Sequence, residues 1–306
     1  MPGGLFGILV WMRSTLVLSK YLGGLGNRLI LHIHVMAFAM EHGFSLVNLT
    51  LHRDAHLFEG LWANSWCRYP PPAFGLPLHQ LVRGTRFWAE YFALRDSRSP
   101  GAVPGLHTWM LGDGESLSME SSRFADVCRK HRWINLQGWL FRAPHYVQKH
   151  REAIRKIMRF RRSVNPELSS RLTPAKSGNR TRICLHIRQG DYRSWEEGQH
   201  YINPGEYAQA ARRIARREAR RNPEFWVCSD EPVDLTIFPP GTRTCPHRSL
   251  PEDFQVMTES DFILGGISTF SRTAAFLGDA KIHFHVRGRE IPALDAWTSG
   301  STALNV

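Results

Sequence analysis

Strand-like apolar segments alternate with helical patterns throughout the second half of this chain. Strands are predicted at residues 182–187, 225–229, 261–265 and 281–286, and helices at 204–221, 252–259 and 269–277. Short apolar runs bounded by turn residues are typical of buried strands. Strands that alternate with helices favour a mostly parallel sheet that is covered on both faces. The sequence therefore predicts an α/β fold.

The first half begins with a β-α-β pattern. A predicted strand at 14–21 runs into the loop Gly23-Gly-Leu-Gly-Asn27, an apolar helix follows at 28–40, and a second strand is predicted at 44–51. Gly43 suits the end of that helix, because glycine readily adopts the left-handed conformation found there. The two strands are expected to lie in one sheet.

The middle of the chain carries weaker patterns. Residues 62–114 are rich in Pro, Gly, Trp and Arg and are predicted to be irregular, and another strand is predicted at 133–139. A basic amphipathic helix is predicted at 146–160, followed by a polar connection at 163–179. This connection is expected to join two α/β halves that face each other across a cleft.

The chain is strongly basic, with a net charge of +12 and a sequence pI of about 10.0. Most of the excess lies in the runs 149–162 and 212–221. These runs are interpreted either as solvated faces of helices or as a surface for peripheral contact with an anionic membrane. They are not interleaved with aromatic residues in the manner that base stacking requires, so no specific nucleic-acid partner is expected.

The sequence predicts a cytoplasmic protein. No stretch reaches the roughly 20 apolar residues of a membrane-spanning helix, and the apolar segment at 5–12 lacks the basic leader of a secretory signal. The five cysteines show no C-x-x-C pair and no regular spacing. Neither a disulfide framework nor a structural zinc site is therefore expected, and the cysteines are interpreted as small buried apolar residues.

The segment Arg188-Gln-Gly-Asp-Tyr192 directly follows the strand at 182–187. A parallel strand delivers such a segment to the carboxyl edge of the sheet, where open α/β folds bind ligands. Arg188 suits a diphosphate there, because its planar guanidinium can pair with two phosphate oxygens. His186 lies on the same face, and Asp191 can orient Arg188, bind a ligand hydroxyl or act as a base. A loop salt bridge between Arg188 and Asp191 is the alternative interpretation.

Two further strand ends carry candidate ligand-binding residues. After the strand at 261–265, Ser268 or Thr269 can cap the next helix, whose free N–H groups and partial positive charge favour an anion. Ordinary capping is the alternative. Asp230 directly follows the strand at 225–229 and can accept hydrogen bonds from a nucleobase or ribose, or cap the following turn.

The glycine-rich loop after the first strand departs from the dinucleotide fingerprint. Leu29 stands where that fingerprint needs Gly or Ala, and no acidic residue follows about 20 positions later, so an NAD-dependent enzyme is a poor fit. The loop is either a structural turn or a source of backbone N–H groups, Asn27 and Arg28 at the floor of a cleft. No D-x-D pair occurs, so no metal site is predicted. The lack of a G-x-x-x-x-G-K-[ST] phosphate loop argues against a kinase or ATPase of that type, and no G-x-S-x-G sequence occurs.

Together, three segments resemble the motifs of one enzyme family. His186-Ile-Arg-Gln-Gly-Asp-Tyr192 resembles the H-x-R-R-G-D-Y motif of the α-1,2-fucosyltransferases. Gly23-Gly-Leu-Gly-Asn27 is similar to the G-G-L-G-N-Q motif near the start of that family, and residues 253–278 are similar to its C-terminal donor motif. The three stand in the family's order across residues 15–286. The wider superfamily includes α-1,6- and protein O-fucosyltransferases.

The resemblance implies a glycosyltransferase B fold, in which two Rossmann-like domains face a cleft. An acceptor-side domain is expected at 14–145 and a nucleotide-sugar donor domain at 180–306, with a helix and connection at 146–179. The resemblance also implies an inverting enzyme that transfers fucose from GDP-fucose, a co-substrate, with no cofactor and no essential metal. We expect the acceptor to be a glycan or lipid-linked glycan in surface polysaccharide synthesis, with the enzyme peripheral on the inner face of the membrane.

The resemblance assigns roles to individual residues. Arg188 would bind the β-phosphate and, with Asp191, serve catalysis. The other implied donor-site residues are His186, Gly24, Gly26, Asn27, Arg28, Asp230, Ser268, Thr269, Phe270 and Ser271. Gln189 replaces the second Arg of the motif and Arg28 replaces the Gln after Asn27, which shifts one positive charge to the other domain. The motifs name no general base; Asp54 and His56, after the second strand, are candidates.

Two other interpretations stay open. The enzyme could use another nucleotide-linked hexose, because the loss of the second motif arginine weakens the assignment of fucose more than that of a nucleotide diphosphate. Alternatively, the chain could be a non-enzymatic basic protein that docks on anionic membrane or nucleic acid through its two arginine runs.

Overall fold

Two parallel β-sheets organise the chain in a computed structural model, which describes residues 14–64, 66–71, 106–172 and 180–304. The strands are β1 (Thr15–Leu18), β2 (Ser45–Asn48), β3 (Leu106–Met110), β4 (Leu117–Ser118), β5 (Trp133–Gln137), β6 (Phe141–Arg142), β7 (Thr181–Ile187), β8 (Pro223–Ser229), β9 (Arg243–Thr244), β10 (Phe262–Gly265) and β11 (Lys281–Phe284). The α-helices are α1 (Leu25–His42), α2 (Ser122–Lys130), α3 (Pro144–Lys149), α4 (Arg151–Ile157), α5 (Pro166–Arg171), α6 (Pro204–Arg217), α7 (Leu250–Thr258) and α8 (Thr269–Gly278).

The first sheet has the strand order β2-β1-β5-β3, and its strands pair in parallel. Most of the residues of α1 are buried, because this helix contacts β2 and α3 of its own half and α8 of the second half. Because buried residues occur along this helix from Leu25 to Ala39, it lies in the interior of the molecule. Among the described residues, no helix combines the length and apolar character that crossing a bilayer requires.

The second sheet has the order β11-β10-β7-β8-β9, again with parallel pairing, and helices cover both of its faces. Along β7 the side chains alternate between these faces, as the two-residue period of a strand requires. Ile183 and Leu185 pack in the same apolar cluster as Tyr207 of α6. Cys184 belongs to a different cluster, which includes Phe254 of α7 and Phe276 of α8. This doubly covered parallel sheet confirms the predicted α/β architecture.

One apolar cluster extends across both halves of the molecule. Phe38 of α1 and Phe124 of α2 belong to it, together with Phe254 of α7 and Phe276 of α8. The halves are therefore joined by a shared core at α1 and α8. The predicted boundaries at residues 145 and 180 stay predictions.

Two sequence-based predictions are wrong in the middle of the chain. Residues 62–114 were expected to be irregular, yet β3 forms at Leu106–Met110 at the edge of the first sheet; residues 72–105 lie outside the described part. The single helix expected at 146–160 is two helices, α3 and α4. His150 leaves the helical conformation between them (φ −100°, ψ 11°), and its ring bonds to Glu41 of α1 at 2.8 Å.

The end of the connection also differs from the expected irregular chain, because α5 forms at Pro166–Arg171 within it. Residues 173–179 of the same segment lie outside the described part. In the second half, α6 ends at Arg217 rather than 221, and a short 3₁₀ turn covers the last residues of the predicted helix.

Both basic runs contribute to packing. In the first run, Arg155 donates to the carbonyl oxygen of Phe276 (2.7 Å) and pairs with Asp279 (2.8 Å), which connects α4 to the end of α8. In the second run, Arg221 pairs with Asp295 at 2.6 Å. Part of the excess positive charge thus serves the fold itself.

Candidate active site

The carboxyl ends of three neighbouring strands bring the predicted donor-site residues of the second half together. In the register of the sheet, His186 of β7 lies between Gly265 of β10 and Cys228 of β8. The segments that carry Arg188, Asp230 and Ser268 all begin within three residues of this row. They therefore leave the same edge of the sheet, as the sequence predicted for ligand-binding segments.

Arg188 is held at this edge by acidic and aromatic neighbours. Its Nη2 atom lies 2.5 Å from Oδ1 of Asp191, and its Nε atom lies 3.6 Å from Oδ2 of Asp230. Its guanidinium carbon stands 5.3 Å from the centre of the Tyr192 ring. The loop salt bridge considered from the sequence is present. It fixes the direction of a guanidinium that is still 30% exposed and can therefore meet a ligand.

His186 is enclosed beneath Arg188. Burial, followed by the charge of Arg188, lowers the pKa of His186 to about 3. Its ring centre lies 5.8 Å from that of Phe270, at the start of α8. The imidazole is therefore neutral at physiological pH and can line the site, but it cannot supply a positive charge to a phosphate there.

Gln189, which stands in place of the second motif arginine, faces inward. Its backbone N–H donates to Oδ1 of Asp230 (2.8 Å), and its side-chain amide donates to the hydroxyl of Ser229 (3.2 Å). The side chain is buried. The substitution therefore removes a charge from the interior between β7 and β8, where the amide now links the two strand ends.

Tyr192 has a structural position that the sequence argument did not assign. Its hydroxyl donates a hydrogen bond to the carbonyl oxygen of Ile267, one residue before the cap of α8. Burial raises the pKa of Tyr192, which keeps the phenol protonated as a donor. Because the same ring lies beside Arg188, Tyr192 connects the arginine segment to the start of α8. Its place beside Asp191 in the motif was the available signal.

The start of α8 is capped by its own residues. The Ser268 hydroxyl accepts a hydrogen bond from the backbone N–H of Phe270 (3.3 Å), and the Ser271 hydroxyl donates to the carbonyl oxygen of Ser268 (3.2 Å). Ser271 is fully buried, whereas Thr269 is partly exposed. Of the hydroxyls predicted to hold the donor, that of Ser271 is thus directed into the protein.

The N-terminal turns of α1 and α8 meet directly at Gly26. A Cβ atom on Gly26 would lie 2.4 Å from the backbone nitrogen of Phe270 and 2.7 Å from the carbonyl carbon of Thr269. Neither helix has an acidic residue in its first turn, and α1 has no side-chain cap. Each helix start carries a partial positive charge of about half an elementary charge. Two such charges are therefore brought together without a neutralising carboxylate in either first turn.

Arg28 does not reach out from the glycine-rich loop. Its Nη1 atom donates to the carbonyl oxygen of Thr50 and to Asp54, each at 2.7 Å, and its guanidinium stacks on Tyr21. The side chain is buried. Asp54, one candidate base, is thus ion-paired.

The remaining loop residues and the second candidate base are more open. Gly24 has no atom within 4 Å of an added Cβ and is exposed. Asn27 packs its amide against Gly23, which has a positive φ of 62°. The exposed His56 ring bonds to the carbonyl oxygen of Arg53 at 2.9 Å. Asn27 and Gly24 therefore lie at the rim of the helix junction, whereas Gly26 lies inside it.

A cavity of about 700 Å³ lies at the opposite edge of the second sheet. Its lining includes Thr181, Asp261 and Lys281, which stand at the beginnings of β7, β10 and β11. None of the predicted donor-site residues lines it. We therefore place the candidate active site at the carboxyl edge, where the chemistry-bearing segments converge.

Comparison with known proteins identifies the fold. No protein-family model and no curated protein matches this sequence. Among solved structures, an Arabidopsis thaliana FUT1 variant in complex with GDP matches 94% of this chain and 74% of its own, at 14% identity and a TM-score of 0.54. POFUT1 in complex with GDP matches 89% of this chain and 99% of its own, at 11% identity and a TM-score of 0.50. The chain shares their fold. The predicted architecture of two Rossmann-like units is confirmed.

Proposed function

We propose that this chain is a glycosyltransferase that transfers fucose from GDP-fucose to a hydroxyl group of a glycan, with inversion at the anomeric carbon. The observation that carries the proposal is the junction of two helix N-termini at Gly26, which the Tyr192 hydrogen bond to Ile267 connects to the Arg188 segment. An anionic diphosphate is the ligand that such an arrangement favours. The shared fold agrees with this, since both compared structures hold GDP.

The reaction places negative charge where this site can stabilise it. As the bond between sugar and phosphate breaks, the sugar ring becomes positive and the departing diphosphate gains negative charge. Arg188 can pair with the diphosphate oxygens, and the N–H groups at the starts of α1 and α8 add preorganised dipoles. Asp191 acts as a positioning residue, because its ion pair at 2.5 Å fixes the guanidinium. These groups can perform the role that a metal ion has in other transferases.

Inversion follows if the acceptor hydroxyl attacks from the face opposite the diphosphate. We propose that the acceptor enters from the side of the first sheet and belongs to a surface polysaccharide or a lipid-linked glycan. The enzyme would then work as a cytoplasmic protein at the inner face of the membrane. The motif resemblance to the α-1,2-fucosyltransferases supports this substrate class.

Donor choice is tested with a panel of nucleotide sugars. We expect thermal stabilisation by GDP and GDP-fucose, because a ligand that binds the folded state raises its stability by mass action. We also expect GDP-fucose turnover to persist in EDTA. Stabilisation only by UDP or ADP sugars would mean that the donor is another nucleotide-linked hexose. If no sugar nucleotide stabilises the protein or is turned over, the enzyme proposal is refuted.

Arg188→Ala tests the diphosphate role. Removal of one such electrostatic contact typically lowers kcat by about 10²–10³-fold. Arg193→Ala is the matched control: this arginine lies in the same segment, but both of its terminal nitrogens pair with Glu231 at 2.6 Å. We expect near-normal turnover from the control. If Arg188→Ala is as active as the Arg193→Ala control, the reacting centre lies elsewhere.

A further inference from the structure

Three potential metal ligands converge beneath the candidate active site, and a further thiol lies beside them. The sulfur atoms of Cys228 and Cys245 and a carboxylate oxygen of Asp253 all lie within 4.8 Å of one another. Cys184 adds a third thiol, which interacts with the thiol of Cys228. All three cysteines are buried, and Asp253 is partly buried. The side chains come from β7, β8, the end of β9 and α7, so only the folded chain brings them together.

The surroundings of Asp253 are unusual for a carboxyl group. The thiols of Cys245 and Cys228 favour its charged form through hydrogen bonds, whereas burial and the carboxylates of Glu252 and Asp230 disfavour it. Burial raises the pKa of Asp253 to about 7. A carboxyl in such surroundings is costly to ionise unless it is paired or coordinates a metal.

The thiols share this environment. Burial raises the pKa of Cys184 and Cys228, and a hydrogen bond with Cys228 followed by burial raises that of Cys245. The Cys228 thiol donates to the backbone carbonyl of Asp253 at 3.8 Å. A divalent cation would replace the protons that these groups share, because metal ligands bind in their deprotonated forms.

We propose that Cys228, Cys245 and Asp253, with Cys184 as the fourth ligand, bind a thiophilic divalent cation of the zinc type. Tetrahedral zinc with sulfur at about 2.3 Å and oxygen at about 2.0–2.2 Å needs ligand atoms about 3.5–3.8 Å apart. For Cys228, Cys245 and Asp253, rotations that bring the ligand atoms together by about 1 Å are enough to reach that geometry from the 4.8 Å limit. Cys184 lies outside that group of three, so its side chain must turn further to become the fourth ligand. When the ion binds, the ligand protons leave to solvent and no redox step occurs.

The position of this site gives it a structural role. Cys184 lies two residues before His186 on β7, and Cys228 lies two residues before Asp230 on β8. The ion would tie these two strands and the segment after β9 to α7, directly below the edge that carries Arg188. It would thus stabilise the frame of the site without touching a reacting atom.

The metal content of the full-length protein tests the proposal. Protein produced with added zinc and purified under reducing conditions without chelator is expected to retain one zinc per chain. Metal-free protein titrated with Co²⁺ should show the charge-transfer absorption of thiolate ligands. In Cys245→Ser and in Asp253→Asn, which keeps the side-chain volume, we expect binding to weaken by at least about 10-fold.

Cys128→Ser is the matched control, because Cys128 is equally buried but lies in α2 of the first half. Its metal content should equal that of the unaltered protein. Far-ultraviolet circular dichroism establishes that each variant is folded. The proposal is overturned if the folded, reduced protein takes up no more Co²⁺ than Cys245→Ser does. It is also overturned if mass spectrometry finds Cys228 and Cys245 joined by a disulfide instead.

Discussion

Gly26→Ala perturbs the junction on which the proposed donor site depends. In a first turn packed against another helix, the added methyl group has no space, since it would lie 2.4 Å from the Phe270 nitrogen. Ordinary contact begins at 3.4 Å, so the starts of α1 and α8 must separate by about 1.0 Å. The three nearest neighbours of the added methyl group are backbone atoms of Thr269 and Phe270, which cannot rotate out of the way as a flexible side chain would.

The expected cost has two opposing parts. Overpacking of this kind destabilises a protein by about 1–3 kcal/mol, whereas alanine is favoured over glycine within a helix by up to about 1 kcal/mol. The net loss of folding free energy is therefore about 0–3 kcal/mol. A loss of function is expected as well, because a displacement of about 1 Å in a catalytic arrangement can lower the rate about 10²-fold.

Two glycine variants separate steric strain from loss of the site. Gly60→Ala would place a Cβ atom 2.6 Å from the Ile157 side chain and 2.7 Å from its carbonyl oxygen, away from the junction. Gly24→Ala meets no atom within 4 Å. Urea unfolding should show losses for Gly26→Ala and Gly60→Ala and little change for Gly24→Ala. In calorimetric titration with GDP, Gly26→Ala should bind GDP more weakly, whereas Gly60→Ala should keep its GDP affinity.

The comparison between the two strained variants decides the argument. If Gly26→Ala and Gly60→Ala lose similar stability and both retain GDP affinity within about twofold, the junction does not contribute to donor binding. If Gly60→Ala weakens GDP binding as strongly as Gly26→Ala, general destabilisation explains the effect. Either result would refute the assignment of the helix junction as the diphosphate site.

Three further changes have defined outcomes. Tyr192→Phe removes the hydrogen bond to Ile267. The variant should lose about 1 kcal/mol of unfolding free energy and show a higher KM for the donor. An unchanged KM would mean that Tyr192 does not contribute to donor binding. Arg155→Met removes the hydrogen bonds to Phe276 and Asp279. Its unfolding free energy, measured with urea, should be lower by about 1–3 kcal/mol. An unchanged unfolding free energy would mean that solvent compensates for the lost contact. The pKa of His34 is lowered to about 3, mainly by burial. Between pH 3 and 6.5 the folded state therefore binds fewer protons than the unfolded state. The stability that comes from the neutral His34 is present above pH 6.5 and is lost as the pH falls towards 3. His34→Gln should therefore reduce the pH slope of the unfolding free energy in that interval by about 1.4 kcal/mol per unit, and an unchanged slope would contradict a neutral buried His34.

Local patterns predicted the second sheet well because its strands are buried on both faces. Such strands appear in the sequence as apolar runs, whichever strands they pair with. Examples are the runs at 182–187, 225–229 and 261–265. In contrast, β3 contains His107 and Thr108 and lies at a sheet edge, where its partly exposed side chains leave no apolar run. At the break between α3 and α4, His150 bonds to Glu41 of α1, a contact between distant parts of the sequence that no local pattern contains.

The candidate site was predictable to a similar extent. Arg188, Asp230 and Ser268 follow strands, so parallel topology alone places them at one edge. The enclosed positions of Arg28 and Ser271 could not be predicted, because they depend on partners such as Asp54 that come from elsewhere in the fold. The cysteine cluster escaped spacing rules for the same reason, since its members lie on different strands and no short motif joins them.

The apolar cluster shared by the two halves bears on cooperativity. Because Phe38 and Phe124 pack in one cluster with Phe254 and Phe276, neither half can open fully without uncovering part of the other. We expect a single calorimetric transition rather than two. A nucleotide bound at the junction of α1 and α8 would then also slow hydrogen exchange at the amides of β1 and β5, which lie away from it, since their opening would require the same global event.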